Sequence, residues 1–237
     1  MQVRPALCWR NRGVRTNDHE AELTVAPALL EMLCLEGRLL TGDALYCQRG
    51  LCKKVNDRGG DYLVVVKRNQ RRLYDDIALL FAEPPIGEVF GTAEQRDRHG
   101  DRHEVRRIWV STALEGYLDW PGARQVCKVE RQMERKGKTV IDVRYAITSR
   151  RGIPAGDLLS RVRGHWAIEN KLHWVRDVTF AEDASQIRKG SAPEVMAALR
   201  NAVLGLLRQA GAKNVAAALR ENSWRPKASL ELLGLCA

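Results

Sequence analysis

RLLTGDALYCQRGLCKKVNDRGGDYLVVVKRNQ, residues 38–70, carries the pattern on which the reading of the fold turns. Its opening, RLLTGD, is an apolar run closed by a carboxylate and predicts a short strand. Residues 48–58 predict a helix that Gly59 and Gly60 stop, since glycine readily takes the left-handed backbone that ends helices. YLVVVK then has the length and continuous apolar character of a buried strand. Residues 70–81 return to helical spacing, with Leu73, Ile77, Leu80 and Phe81 on one side. Strand, helix, strand, helix is the sign of a layered α/β domain, and a mostly parallel sheet is expected.

Working outward, LTVAPALLEMLCL at residues 23–35 predicts a helix ended by Gly37. Beyond residue 88 the pattern changes to hairpins. VRRIWVS, RQVCKVERQ and VIDVRYAIT are separated by the turn-forming pieces DRHGDR, DWPG and ERKGK. In the third, Ile141, Val143, Tyr145 and Ile147 alternate with Asp142 and Arg144, so one buried and one wet face are expected. Helices return after Pro154: Leu158, Leu159, Val162, Trp166, Glu169, His173 and Arg176 follow steps of three or four. A second long helix is predicted from about residue 193 to 210, capped by Ser191 and stopped near Gly211. The expected organisation is a divergent basic N-terminus at 1–15, a core at 16–87, a β-rich insertion at 88–149 and a helical remainder at 150–237.

The chain has 237 residues, enough for one large domain or two small ones, and its composition excludes disorder and fibrous repeats. A formal net charge of +10 and a pI near 9.6 favour a polyanionic partner, with nucleic acid leading. No long apolar run and no signal-peptide core are present, so a cytoplasmic address is expected. Six cysteines lie scattered at 8, 34, 47, 52, 127 and 236 without CxxC or zinc-finger spacing, and read as reduced packing residues.

Asp43 ends an apolar strand, where layered sheets present functional groups; from position alone it is either a metal ligand or a helix cap. On a helix, His165, Glu169 and His173 lie at i, i+4 and i+8, with Arg176 one turn further, so they form one polar stripe. That stripe is either a solvated face or a site, and Trp166 and Trp174 on another face read as core. Zinc ligation by His and Glu is a third option, although the spacing is not HExxH. Glu182 and Asp183 form a rival acidic pair in a loop. Lys67, Arg68, Asn69 and Gln70 follow a buried strand and read either as phosphate- or base-holding groups or as a plain connecting loop.

Four blocks, TGDALYCQ (41–48), GGDYLVVVKRNQ (59–70), YLDWPGARQVCKVER (117–131) and RGHWAIENKLHWVRDVTFAEDAS (163–185), resemble the DDE transposases of bacterial insertion sequences, specifically the ISAs-type group. APEVMAALRNAVLGLLR (192–208) fits as well, and the resemblance runs from about residue 16 to the C-terminus. It implies a ribonuclease-H-like catalytic core with a β-rich insertion and C-terminal helices, acting on DNA at element ends and target, with a homo-oligomer as a candidate assembly. It also implies two aspartates and a glutamate holding two Mg2+ ions, with Mn2+ as an alternative. Asp43 matches the second aspartate and Glu169 the glutamate, so the two are expected to face one cleft as catalytic and metal-binding residues. Lys67, Asn69, His165 and Arg176 are the implied DNA- or phosphate-assisting groups.

The first aspartate has no counterpart. Residues 1–15 carry four arginines and no acid, and Asp18, Glu20 and Glu22 stand just before a helix rather than on a strand. The expectation is therefore an N-terminally truncated copy lacking the first core strands, inactive in strand cleavage, with a non-catalytic DNA-binding remnant as the alternative.

Overall fold

The computed structural model describes residues 22–168 and 173–234. They fall into two compact units, Glu20–Trp166 and a helical unit that includes Ala167–Ala237. In the first, α1 (Glu22–Glu31) leads into β1 (Leu39–Gly42), α2 (Arg49–Asp57), β2 (Asp61–Val66) and α3 (Arg71–Ala82). Four long strands follow: β3 (Gly91–His99), β4 (Arg102–Ser111), β5 (Gln125–Arg135) and β6 (Lys138–Thr148), and then α4 (Ala155–Ile168).

All six strands form one sheet in the order β1-β2-β6-β5-β4-β3. Only β1 and β2 run parallel, Gly42 lying opposite Val64. The sheet is therefore mostly antiparallel, which corrects the expectation of a mostly parallel one. β6 returns from far along the chain to pair with β2, Leu63 opposite Thr148, and so occupies the position that a further parallel strand would have taken. The β3 strand was not anticipated either: GTAEQRDRH has no apolar alternation and gains its conformation from nine facing partners on β4.

Helices cover both faces, which explains why the LVVV of β2 is apolar throughout. Tyr62, Val64 and Val66 join Val126, Ile147, Val55 of α2 and Ile77 of α3 in one core. Leu63, pointing the other way, joins Ile108, Cys127, Val129 and Ala146 beneath Leu158 and Leu159 of α4. This mixed α/β architecture agrees with a ribonuclease-H-like fold.

Beyond these cores the strands run on into solvent. Ile141 and Val143 are exposed, so the expected buried face of β6 exists only at Tyr145 and Ile147, where α3 reaches it. The β5–β6 turn places Lys136 and Gly137 at φ 50° and 71° between the facing pair Arg135 and Lys138, the two-residue turn that suits strand twist. α1 stops at Glu31, short of the expected end, and Met32 and Leu33 continue as exposed turns toward Gly37.

In the second unit a π-helical turn (Val175–Thr179), α5 (Ala192–Gln209), α6 (Val215–Trp224) and α7 (Pro226–Leu232) meet around Val175, Leu204, Leu207 and Val215. Ser191 precedes α5 without a side-chain capping bond, contrary to the sequence reading, whereas Asn214 caps α6 by accepting from the Ala217 N–H at 3.0 Å. Trp174 is exposed rather than core, and the side chain of Trp166 lies outside the described residues. Among the described residues no helix is long and apolar enough to cross a membrane. Cys47, Cys52 and Cys127 are buried free thiols and Cys34 an exposed one; Cys8 and Cys236 lie outside the described residues.

Candidate functional site

Asp43 stands one residue beyond β1, at the carboxyl end of the parallel pair, with its side chain exposed. Its Oδ1 accepts the Leu45 N–H at 3.0 Å, a local turn that fixes the carboxylate while leaving Oδ2 without a partner among the described residues. Gly42 makes the turn sterically possible, because a Cβ there would sit 3.0 Å from the Cβ of Tyr46 folding back over the strand end. An exposed carboxylate oxygen at a strand end suits a hard cation such as Mg2+, which binds through one or two carboxylates and fills its remaining positions with water and phosphate. Asp43 therefore fits the group that the resemblance calls for.

The turn that follows Asp43 is held by side-chain amides. Asn69 Nδ2 donates to the Ala44 carbonyl at 2.9 Å, and Gln70 Nε2 to the Cys47 carbonyl at 3.0 Å. Gln48 Nε2 donates to the Leu45 carbonyl at 3.3 Å. Arg68 of the same corner lies over the Tyr74 ring, 5.7 Å from its centroid, and Lys67 is exposed. Burial pushes the Cys47 thiol up to about 12, with Cys52 beside it adding to the effect, so Cys47 is a packing residue and not a thiolate.

His165, half-buried on α4, shares a hydrogen bond of 3.2 Å between its Nδ1 and Thr41 Oγ1. It borders a narrow recess with Val162, Thr41, Val64 and Ala146. This contact sets the last turns of α4 against the strand that ends at Asp43. Glu169 lies outside the described residues. His173 of the same sequence stripe is exposed.

Arg176 makes a two-pronged pair with Glu182, Nε to Oε2 and Nη2 to Oε1, both at 2.6 Å. The hydrogen bond from Arg176 holds the Glu182 carboxyl below the usual range, against the opposing effect of burial and with help from Arg200. Of the four groups expected to assist DNA, three thus have polar atoms engaged inside the protein, and Lys67 presents its ammonium to solvent. Among the described residues no group of three His, Cys, Asp and Glu side chains is gathered as a metal site.

A second electrostatic feature lies on the outer sheet. Glu104, only 3% exposed, accepts from Arg131 and Arg102 at 2.5 Å each and contacts Arg106. Burial alone would raise its pKa; the Arg131 hydrogen bond, the Arg106 charge and the Arg102 hydrogen bond outweigh that and leave it near 2. Asp97 links Arg106 at 2.6 Å to Arg163 of α4 at 2.9 Å, tying helix to sheet.

Sequence reasoning singled out Asp43 and placed it at a strand end, as the structure does; it did not single out Thr41, Gln48 or the amide contacts of the corner. The available signal was the amide pair Asn69–Gln70, uncharged donors set directly after a buried strand.

Comparison with known proteins follows the same residues. Residues 13–206 match the family described as "Transposase DDE domain". The chain is 35% identical over 206 residues to "Putative transposase YncI" of Escherichia coli O157:H7, covering 82% of this chain and 52% of that protein. It is 33% identical over 206 residues to "Putative protein YbfL" of Escherichia coli K12, with 82% and 53% covered. "H repeat-associated putative transposase YhhI" of the same strain is 32% identical over 206 residues, with the same coverage. The chain spans about half the length of these curated relatives. A strand-end carboxylate on a mixed, helix-covered sheet and a family match across most of the sequence lead to one conclusion: the chain belongs to the DDE-domain transposases.

Proposed function

We propose that the chain acts on DNA as an ISAs-type transposase, with Asp43 and Glu169 as two of the carboxylates that hold Mg2+ or Mn2+. What supports the reading is the His165–Thr41 hydrogen bond, which lays the helix leading toward Glu169 along the strand leading into Asp43. Bound ions would supply charge stabilisation and activation of water or a 3′-hydroxyl for in-line attack on a phosphodiester. Asp43 contributes Oδ2 to that site, its other oxygen being anchored on the Leu45 N–H. Lys67, at the end of the neighbouring strand, offers a phosphate its ammonium as a point charge. His165 acts from within its pair with Thr41, and Arg176, in the helical unit, from within its pair with Glu182, each as a phosphate-assisting group.

The family chemistry uses three carboxylates, and two are assigned in this chain. The 237-residue chain by itself is therefore expected to bind duplex DNA without cutting it. Its binding should be salt-sensitive and largely indifferent to sequence, since a charge of +10 acts on phosphates. The test pairs fluorescence-anisotropy titrations at several salt concentrations with a nicking assay on terminal-repeat DNA in Mg2+ and in Mn2+. Salt-independent affinity would sink the DNA reading. Robust nicking abolished by Asp43→Ala would instead show that the carboxylate set is complete.

A further inference from the structure

The corner after β2 and the turn after β1 meet at the carboxyl ends of two adjacent parallel strands. We propose that Asn69 and Gln70 are positioning residues for Asp43, forming with Gln48 a three-amide mount that fixes the metal-facing turn. The inference rests on the reading of Asp43 as a metal ligand and assigns Asn69 a role other than direct contact with DNA.

The argument starts from the backbone. Asp43 lies just past the sheet ladder, so strand pairing does not hold it. The carbonyls of this turn face the neighbouring corner in different settings: Ala44 and Cys47 are buried, whereas Leu45 is exposed. A buried carbonyl left unpaired is costly; the Cys47 carbonyl is met by Gln70, and the Ala44 carbonyl takes Asn69 in addition to the Cys47 N–H at 3.4 Å. Each of the three accepts from a side-chain amide: Ala44 from Asn69 at 2.9 Å, Leu45 from Gln48 at 3.3 Å, and Cys47 from Gln70 at 3.0 Å.

The chemical choice of donor matters as much as its presence. Lysine or arginine would satisfy the carbonyls equally well but would set a positive charge beside a carboxylate that must attract a cation. Asparagine and glutamine donate to these carbonyls without adding a further positive charge at the turn. Asn69 and Gln70 are themselves seated in the short 3-10 turn Arg68–Gln70 that opens α3, whose Leu73 and Ile77 are buried in the core. The turn bearing Asp43 is thereby tied to the sheet core through α3. Second-layer contacts of this kind typically change metal affinity about 10–100-fold.

The experiment uses the full chain and Mn2+ as the probe, reading free Mn2+ by electron paramagnetic resonance alongside amide hydrogen exchange across residues 41–48. Asp43→Ala should remove a Mn2+ site. Asn69→Ala and Gln70→Ala should each weaken that site by about tenfold and accelerate exchange at Leu45, whose N–H is held by Asp43, without altering exchange in β5 or β6. In the Asp43→Ala background, Asn69→Ala should have no further effect on Mn2+. If Asp43→Ala leaves Mn2+ binding intact, the metal reading of Asp43 fails, and the mount is then judged by the exchange at Leu45 alone. Unchanged exchange at Leu45 in both amide variants would overturn the proposal. So would a loss of duplex affinity in EDTA by Asn69→Ala with Leu45 exchange unchanged, which would make Asn69 a DNA contact.

Discussion

Residues 22–165 bury apolar side chains on both faces of one sheet, whereas the described helices beyond residue 173 share a small cluster around Val175, Leu204, Leu207 and Val215. The first arrangement determines each strand twice, by its ladder and by the helices above and below it. The second relies on local devices: the Arg176–Glu182 pair, the Asn214 cap and the packing of two short helices on α5. A carboxylate mounted on the first, as Asp43 is, stands on a doubly supported strand.

The sharpest way to break that contrast is to hollow out each core. Ile147→Ala, at a fully buried position between α3 and the sheet, should cost about 4 kcal/mol, and Leu207→Ala in the smaller cluster about 2 kcal/mol, both read from urea melts. Equal losses would mean that the two cores are equivalent after all.

Acid titration probes the outer sheet next. Glu104 has its folded pKa depressed to about 2, so its contribution to stability is complete above the unfolded value and is lost as pH falls toward 2. Stability should therefore drop by on the order of 2 to 3 kcal/mol between about pH 5 and pH 2 through this group, and Glu104→Gln should flatten that part of the profile. Glu182, lowered chiefly by its Arg176 hydrogen bond, contributes with the same sign in the helical unit. An Arg176→Gln variant whose acid profile matched that of the parent chain would show that this pair carries no such contribution.

Smaller still is the cap. Asn214→Ala removes the acceptor for the Ala217 N–H and should cost about 1 kcal/mol, confined to α6 and visible as faster amide exchange there. With nearly no cost in stability, Cys34 should react with a thiol reagent ahead of Cys47, Cys52 and Cys127, as peptide mapping would show; burial leaves Cys127 near 12. Rapid labelling of Cys127 in the native protein would show that the sheet opens more readily than its two covered faces imply.

The parts of the fold legible in the sequence were those written in local periodicity. α2, β2 and α3 stand within a residue or two of their expected bounds, because the LVVV run has no polar face to misread and Gly59 marks the helix end. β3 was not legible. GTAEQRDRH is polar on both sides, and only its facing partner β4 and the turn at Gly100 make it a strand. Ile141 and Val143 show the opposite failure: alternation was present, but the helix that would bury them does not reach that far.

At the site the same division holds. Asp43 could be singled out because a carboxylate closing an apolar strand is a one-dimensional signal, and the blocks around it carried the family. The sequence by itself therefore determined the α/β class, the basic character and the identity of the strand-end acid. The tertiary structure decided that β6 rather than a parallel strand lies beside β2, that His165 turns onto Thr41, and that Asn69 and Gln70 hold the turn bearing Asp43. The reason is physical: periodicity reports how a residue meets its neighbours along the chain, whereas strand order and amide-to-carbonyl pairing are settled between segments far apart in sequence, where burial and the demand of stranded carbonyls for donors choose the partner.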